Sequence, residues 1–268
     1  MYPPKQYALC LLLLSPLFPL LASAAEPDDT ISTDRPDFVD SSDVVGKGRF
    51  QIETSFAGDR DNSGGVKTRN YATPTLLRYG VSENWEVRLG SDGRRRSVSE
   101  DPAAGLYSRV DGYGDLAFSV KGHLLDADGR LPSLSLGLQW DLDTGSAPFR
   151  ATGKGASLRL GAEWELPSDL TLGVMPGLAS QNNADGRRYT SALFGVVLEK
   201  HWSDRFSTFV EYAAPTIARS RDGGSVTTFD IGAAWLLKPL IQLDVALMRG
   251  LNRNTPDWSW TVGLSLKY

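Results

Sequence analysis

The stretch Trp258-Ser-Trp-Thr-Val-Gly-Leu-Ser-Leu-Lys-Tyr268 decides the fold. Trp258, Trp260, Val262, Leu264, Leu266 and Tyr268 alternate with Ser259, Thr261, Gly263, Ser265 and Lys267. Successive side chains on a strand point to opposite faces, so this period of two gives one apolar face and one small or polar face. A helix would need apolar residues three and four apart, and no long stretch of the chain keeps that spacing.

The alternation continues toward the N-terminus. It is carried by Ile241, Leu243, Val245 and Leu247; by Phe229, Ile231, Ala233 and Trp235; by Leu158, Leu160, Ala162 and Trp164; by Leu134, Leu136 and Leu138; and by Phe50, Ile52, Thr54 and Phe56. Counting such runs gives about twelve strands, with about ten to fourteen compatible, in the range of outer-membrane barrels. Connections alternate in length. Gly80–Asn84, Leu125–Pro132, Pro167–Asp169, Ser203–Arg205 and Lys238-Pro239 are short, whereas Gly58–Lys67, Ser91–Asp111, Asp143–Thr152, Ser180–Arg188, Thr216–Ser225 and Leu251–Asp257 are long. Short periplasmic turns against longer outer loops mark a membrane barrel. The fold class expected is all-β, a transmembrane antiparallel up-and-down β-barrel over residues 48–268 with both ends on the periplasmic side. Pro74 and Pro176 fall within strand patterns and call for a bulge at each.

Aromatic residues gather at strand ends, as in the girdles where hydrocarbon meets headgroups. Tyr79, Trp85, Trp164, Trp202, Trp235 and Tyr268 flank short turns, and Trp140, Trp258 and Trp260 lie toward long loops. With the apolar face given to lipid, the other face lines the lumen. It carries Arg49, Glu53, Arg78, Glu86, Arg88, Asp115, Lys121, Arg159, Glu163, Glu165, Glu199, Glu211, Asp230 and Asp244. The excess of acids over bases suggests cation preference if the pore is continuous. Paired charges filling the lumen are the alternative.

Residues 25–47 precede the first strand and are too acidic to fold alone. Asp34, Arg35, Pro36, Asp37 and Phe38 mix turn-forming, ionic and apolar anchors, which favours a plug inserted in the lumen over a periplasmic tail. Residues 1–24 read as a secretory signal: Lys5, an apolar run from Ala8 to Leu21, then Ala22-Ser23-Ala24. The only cysteine, Cys10, lies within it.

Charge excludes other classes. The 268 residues hold 28 Lys+Arg against 32 Asp+Glu, with no basic block beyond Arg94-Arg95-Arg96, so nucleic acid is not an expected partner. Two His and one Cys without ligand spacing give no metal site, and no cofactor is expected.

The segment from Ile31 through Thr-Asp-Arg-Pro-Asp-Phe to Glu53, followed by Tyr71-Ala-Thr-Pro-Thr-Leu-Leu-Arg-Tyr-Gly-Val81 and Trp85-Glu-Val-Arg-Leu89, resembles the phenol-degradation MetA-pathway family, often labelled simply "transporter". The resemblance spans most of the chain after residue 24. It implies an outer-membrane barrel admitting hydrophobic or aromatic compounds, without catalytic or binding residues to carry over.

Three functions compete. Passive transport of a small solute ranks first, with the luminal charges setting selectivity and the Asp34-Arg35 segment narrowing the path. A structural or surface-recognition barrel with a sealed lumen is second, its arginine triplet holding lipopolysaccharide phosphates. An outer-membrane lipid hydrolase is third, since only His123 and His201 could serve as base and no Gly-x-Ser-x-Gly elbow occurs. The expected partners are outer-membrane lipid and lipopolysaccharide, the barrel-assembly machinery acting on the terminal strand, and a small-molecule solute. The expected location is the cell outer membrane.

Overall fold

The computed structural model describes residues 30–268, so the leader expected at 1–24 lies outside the described residues. The strands are β1 (Phe50–Ser63), β2 (Val66–Ala72), β3 (Thr75–Gly80), β4 (Trp85–Ser91), β5 (Arg94–Asp101), β6 (Leu106–Tyr113), β7 (Leu116–Leu125) and β8 (Ser133–Asp141). They continue as β9 (Gly155–Leu166), β10 (Leu170–Asn182), β11 (Arg188–Ser203), β12 (Phe206–Ile217), β13 (Val226–Lys238), β14 (Ile241–Gly250) and β15 (Trp258–Lys267). Neighbours are antiparallel, and β15 returns to β1 over ten residue pairs, from Gln51–Lys267 to Arg60–Trp258. The sheet therefore closes, leaving no edge in the membrane. Phe50 and Tyr268 exchange both backbone hydrogen bonds, which puts the start of β1 and the C-terminus at one rim.

Twelve strands circle the barrel, because β2/β3, β4/β5 and β6/β7 are the upper and lower halves of three interrupted strands. β1 pairs with β3 in its first half and with β2 in its second. The interruptions at Thr73-Pro74, Asp92-Gly93 and Gly114-Asp115 lie side by side in the wall. Pro74, which cannot donate to a ladder, sits in the first gap, so the chain breaks the strand there instead of bulging. At Pro176 no bulge forms either. The β9–β10 pairing lapses opposite Met175 and Pro176 and resumes at Gly177–Arg159 in the same register as Val174–Ala162.

Two of the expected long loops are strands. β1 continues to Ser63 and turns at Gly64-Gly65, both with positive φ, and β5 and β6 form a hairpin inside the expected 91–111 loop. Water wets both faces of these extensions, so apolar alternation, the signal for a strand, is missing there.

The barrel inverts the usual burial. Leu138, Leu160, Val210, Ile231, Leu247 and Val262 are exposed, while Gln51, Glu53, Arg78, Glu86 and Asp244 are completely buried in the interior. An apolar exterior around a charged interior is stable only with hydrocarbon outside. Phe206 stacks on Trp235 at 4.5 Å and Phe118 on Trp140 at 6.0 Å, at opposite rims of the apolar band. The interior is not polar all round. Met175, Leu193, Val197, Phe209 and Ala246 form an apolar patch on the inner face of β10, β11, β12 and β14, closed by Val39 from the N-terminal segment.

Candidate functional site

The interior is crossed by residues 30–49, which run through the lumen before entering β1. Ile31 begins the path at the rim of the short turns, its N–H donating to Pro239 O at 2.8 Å. Ser32 O then accepts from Gln51 Nε2 at 2.8 Å and from Arg78 Nη1 at 3.1 Å. Near the end of the path Val45 N–H donates to Glu86 at 2.8 Å. The chain leaves beside Gly80, where an added Cβ would lie 1.7 Å from Gly46 O, an approach only glycine permits.

Asp34 is the ionic centre. Its carboxylate accepts from Arg88 Nη2, lies 3.1 Å from Lys121 Nζ and 3.6 Å from Arg78 Nη1. Arg78 also binds Glu53 at 2.8 Å and Glu86 at 2.9 Å. Three cations on β3, β4 and β7 thus face three close carboxylates, one of them supplied by the segment, which also brings Asp40 to 3.9 Å from Arg88. Burial alone would raise the Asp34 carboxyl, but the three cations hold it well below the usual carboxylate range. Arg35 reaches the opposite wall, where Nη2 donates to Thr261 Oγ1 at 2.7 Å and lies 3.4 Å from Asp244.

Beyond the turn at Pro36 the backbone itself is held. Phe38 and Val39 N–H groups both donate to Glu211 of β12, at 2.9 Å each, and Ser42 N–H donates to Glu163 of β9. Arg159 lies over the Phe38 ring at 5.9 Å and 3.5 Å from Asp40. A Cβ on Gly195 would sit 2.7 Å from Val39 and 2.9 Å from Phe38, so this wall position leaves room only for the segment. Asp37 differs from Asp34 in having no cation partner among the described residues. Burial, with Glu211 and Glu199 next in effect, pushes its carboxyl well above the usual range.

The structure therefore brings Glu53, Arg78, Glu86, Arg88 and Lys121 together around Asp34, and places Glu163, Arg159, Glu211 and Asp244 on the rest of the path. Asp230 lies buried beside Glu211 across β12–β13. The remaining expected luminal residues lie at the rims. Arg49 stands at the mouth on the side of the short turns, Glu165 is exposed next to the β9–β10 turn, and Glu199 lines the cavity on that same side. Asp115 sits in the β6/β7 break at the other rim, where it accepts Gly145 N–H at 2.6 Å and Ala151 N–H at 2.7 Å. It thereby folds the β8–β9 connection over the mouth. Sequence reading missed the backbone donors and the apolar patch; neither has a charged side chain to flag it.

Two cavities result, one on each side of the segment. The one on the side of the long connections (the outer side in the expected orientation), about 520 Å³, is bounded by Asp34 and Arg35 at one end and by Arg95, Asp115 and Phe149 at the other. The one on the side of the short turns, about 320 Å³, is bounded by Arg35, Asp37 and Val39 and by Glu199, His201 and Phe209. Neither histidine builds a nucleophilic relay. His123 contacts Ser42 O and Asp126, and His201 meets Thr171 Oγ1 and Glu199 through the same nitrogen, Nε2. The arginine triplet divides: Arg95 turns inward to stack over Phe149 at 5.0 Å, while Arg94 and Arg96 face out.

Solved structures of outer-membrane barrels share the fold. The COG4313 outer membrane channel from Pseudomonas putida F1 superposes with a TM-score of 0.63 at 12% identity, over 88% of this chain and 100% of that one. The NanC porin gives 0.54 at 12% identity, over 81% and 98%. The translocator domain of the autotransporter NalP from Neisseria meningitidis gives 0.50 at 19%, over 83% and 89%. No curated protein sequence matches the chain. The family described as "Putative MetA-pathway of phenol degradation" matches residues 33–268, and this barrel with its threaded lumen belongs to it.

Proposed function

We propose that the protein is a passive channel of the outer membrane, held closed by its own N-terminal segment. The observation that carries this reading is the single strand of chain, residues 30–47, separating two cavities that would otherwise join. Its attachments are mainly polar or charged, so its removal would leave wall groups that water can solvate, apart from the apolar patch that Phe38 and Val39 cover. A sealed structural barrel would instead be expected to fill its lumen from the wall, by covalently fixed side chains, as an ordinary core does.

The solute is small and aromatic or otherwise hydrophobic in this reading. Support comes from the family description and from the outer cavity, where Leu76, Leu116 and Phe149 stand among polar groups. Export through a cleaved leader and insertion by the barrel-assembly machinery, reading the strand that ends at Tyr268, belong to the same proposal.

The test is single-channel recording in planar bilayers from the folded protein with and without residues 30–47. Steady conductance steps after deletion, against rare or small ones in the intact chain, are expected. A deletion variant that folds, shows heat-modifiable mobility and stays silent would overturn the proposal.

A further inference from the structure

Above the aromatic girdle the strand register builds a row of cations on the outer face. Reading across the sheet, Arg249 of β14 is paired with Trp258 of β15, Trp258 with Arg60 of β1, Arg60 with Arg69 of β2, Arg69 with Val98 of β5, and Val98 with Arg109 of β6. Directly paired residues share a face, so four arginines stand in one line across six strands spaced about 4.8 Å apart. The row below fixes which face this is. It holds Trp260, Gly58 and Tyr71, with Phe56 one step further down stacking on Tyr71 at 6.2 Å and against Trp260 at 5.5 Å. Phe56 and Trp260 are exposed on the barrel exterior.

The row is only partly neutralised from within: Arg69, Arg109 and Arg249 each have a carboxylate within 4 Å, and Arg60 at its centre does not. Arg60 faces Arg69 directly, an arrangement that costs stability when nothing lies between. Arg60 and Lys67 have no ion-pair partner among the described residues, and Arg69 lies 3.6 Å from Glu100 with its side chain half exposed. Arg249 is held in place, its guanidinium over Trp258 at 5.0 Å, donating to Asp257 O at 2.7 Å and lying 3.6 Å from the Asp257 carboxylate. Arg96 and Arg109 share one carboxylate, Asp111, at 2.7 and 2.8 Å. A groove of about 440 Å³ opens along this line, bordered by Arg60, Lys67, Arg69, Arg249, Asp257 and Trp258.

We propose that this groove binds the phosphorylated headgroup of a lipid in the outer leaflet. From Phe56 to Arg60 is four residues, about 13 Å along the strand and about 10 Å along the membrane normal at the tilt of such barrels. Acyl chains on the Phe56, Tyr71 and Trp260 cluster would therefore place a phosphate at the arginine level. A phosphate between Arg60 and Arg69 would take two charge-assisted pairs and remove their repulsion. The inference uses the orientation with β5 and β6 outside the cell, but it does not depend on whether the lumen conducts.

The test uses the full folded protein in detergent micelles, titrated with lipopolysaccharide and with dephosphorylated lipopolysaccharide and followed by native mass spectrometry. The variant carrying Arg60→Gln, Lys67→Gln and Arg69→Gln should bind the phosphorylated form at least about tenfold more weakly and lose its salt dependence, with the dephosphorylated form unaffected. Arg60→Gln alone, for use if the triple variant does not fold, should lose several-fold. Equal binding by variant and native protein, or an equal loss for both lipids, would overturn the proposal. Displacement by inorganic pyrophosphate as effective as by the lipid would also overturn it, assigning the groove to a soluble anion. Conductance of the same variants should be unchanged, so a failure here is distinct from a failure of the channel reading.

Discussion

Replacing Asp34 by Asn tests the latch at its ionic centre. Only 2% of the Asp34 side chain is exposed, and it lies within reach of Lys121, Arg88 and Arg78, which it helps Glu53 and Glu86 to neutralise. Asn keeps the shape but removes the charge, leaving three buried cations against Glu53, Glu86 and the more distant Asp40, 3.9 Å from Arg88, and pointing an amide donor toward them. Removing one partner from a buried ion network costs about 3–5 kcal/mol. With the segment withdrawn, the wall cations are hydrated, so the cost falls on the closed state alone. At about 1.4 kcal/mol per tenfold, even about 3 kcal/mol shifts the closed-to-open ratio roughly a hundredfold. Planar-bilayer recording should show open probability rising by about that factor in Asp34→Asn. Asp43→Asn, at an exposed position of the same segment, should leave it unchanged. An Asp34→Asn channel as quiet as the native one, where deletion of residues 30–47 conducts, would refute the ionic latch.

Two further outcomes are expected. Leu160 is exposed on the lipid face, and an Arg there costs about 2–4 kcal/mol at the membrane midplane, so Leu160→Arg should fail to give the heat-modifiable folded form. Gly137→Arg, with only Arg159 Cβ within 4 Å of the added carbon, should fold and alter conductance. Opening should also depend on pH through Asp37, which faces Glu211 and Glu199 and has a carboxyl raised well above 3.8 by burial and by those two acids. A raised value means that the inserted state binds the proton more tightly, so this contribution to closure is complete below about pH 3.8 and is lost as pH rises through the raised value. Asp34, held low, changes only in stronger acid. Open probability recorded from about pH 5 to about pH 9 should therefore climb toward alkaline pH and climb less steeply in Asp37→Asn; a climb toward acid would contradict this assignment.

How much could be read beforehand depended on where lipid touched the chain. Leu158, Leu160 and Trp164 announce β9 because one face meets hydrocarbon and the other does not. The hairpin of β5 and β6 has water on both faces, so Ser97, Val98 and Ser99 carry no period and read as loop. Around Met175, Leu193 and Val197 both faces are apolar, one toward lipid and one toward Val39, and alternation cannot separate them. Arg78 and Glu86 are legible as interior charges from their place opposite Leu77 and Val87. That Glu211 is met by the N–H groups of Phe38 and Val39 is not, because a backbone donor has no signature in sequence and its position depends on the whole path of the segment.

The most direct measurement ties the segment to the wall. Ser42 Oγ accepts from Ser133 Oγ at 2.8 Å, near enough for Ser42→Cys and Ser133→Cys to form a disulfide, and the chain's only native cysteine is Cys10 in the expected leader. Current through this double variant, recorded before and after reduction of the same bilayer, should be absent when the bridge is formed and should return to native opening when it is reduced. Equal current in both states would show that solutes and ions cross without the segment moving, and would contradict the account of a channel closed by its own N-terminus.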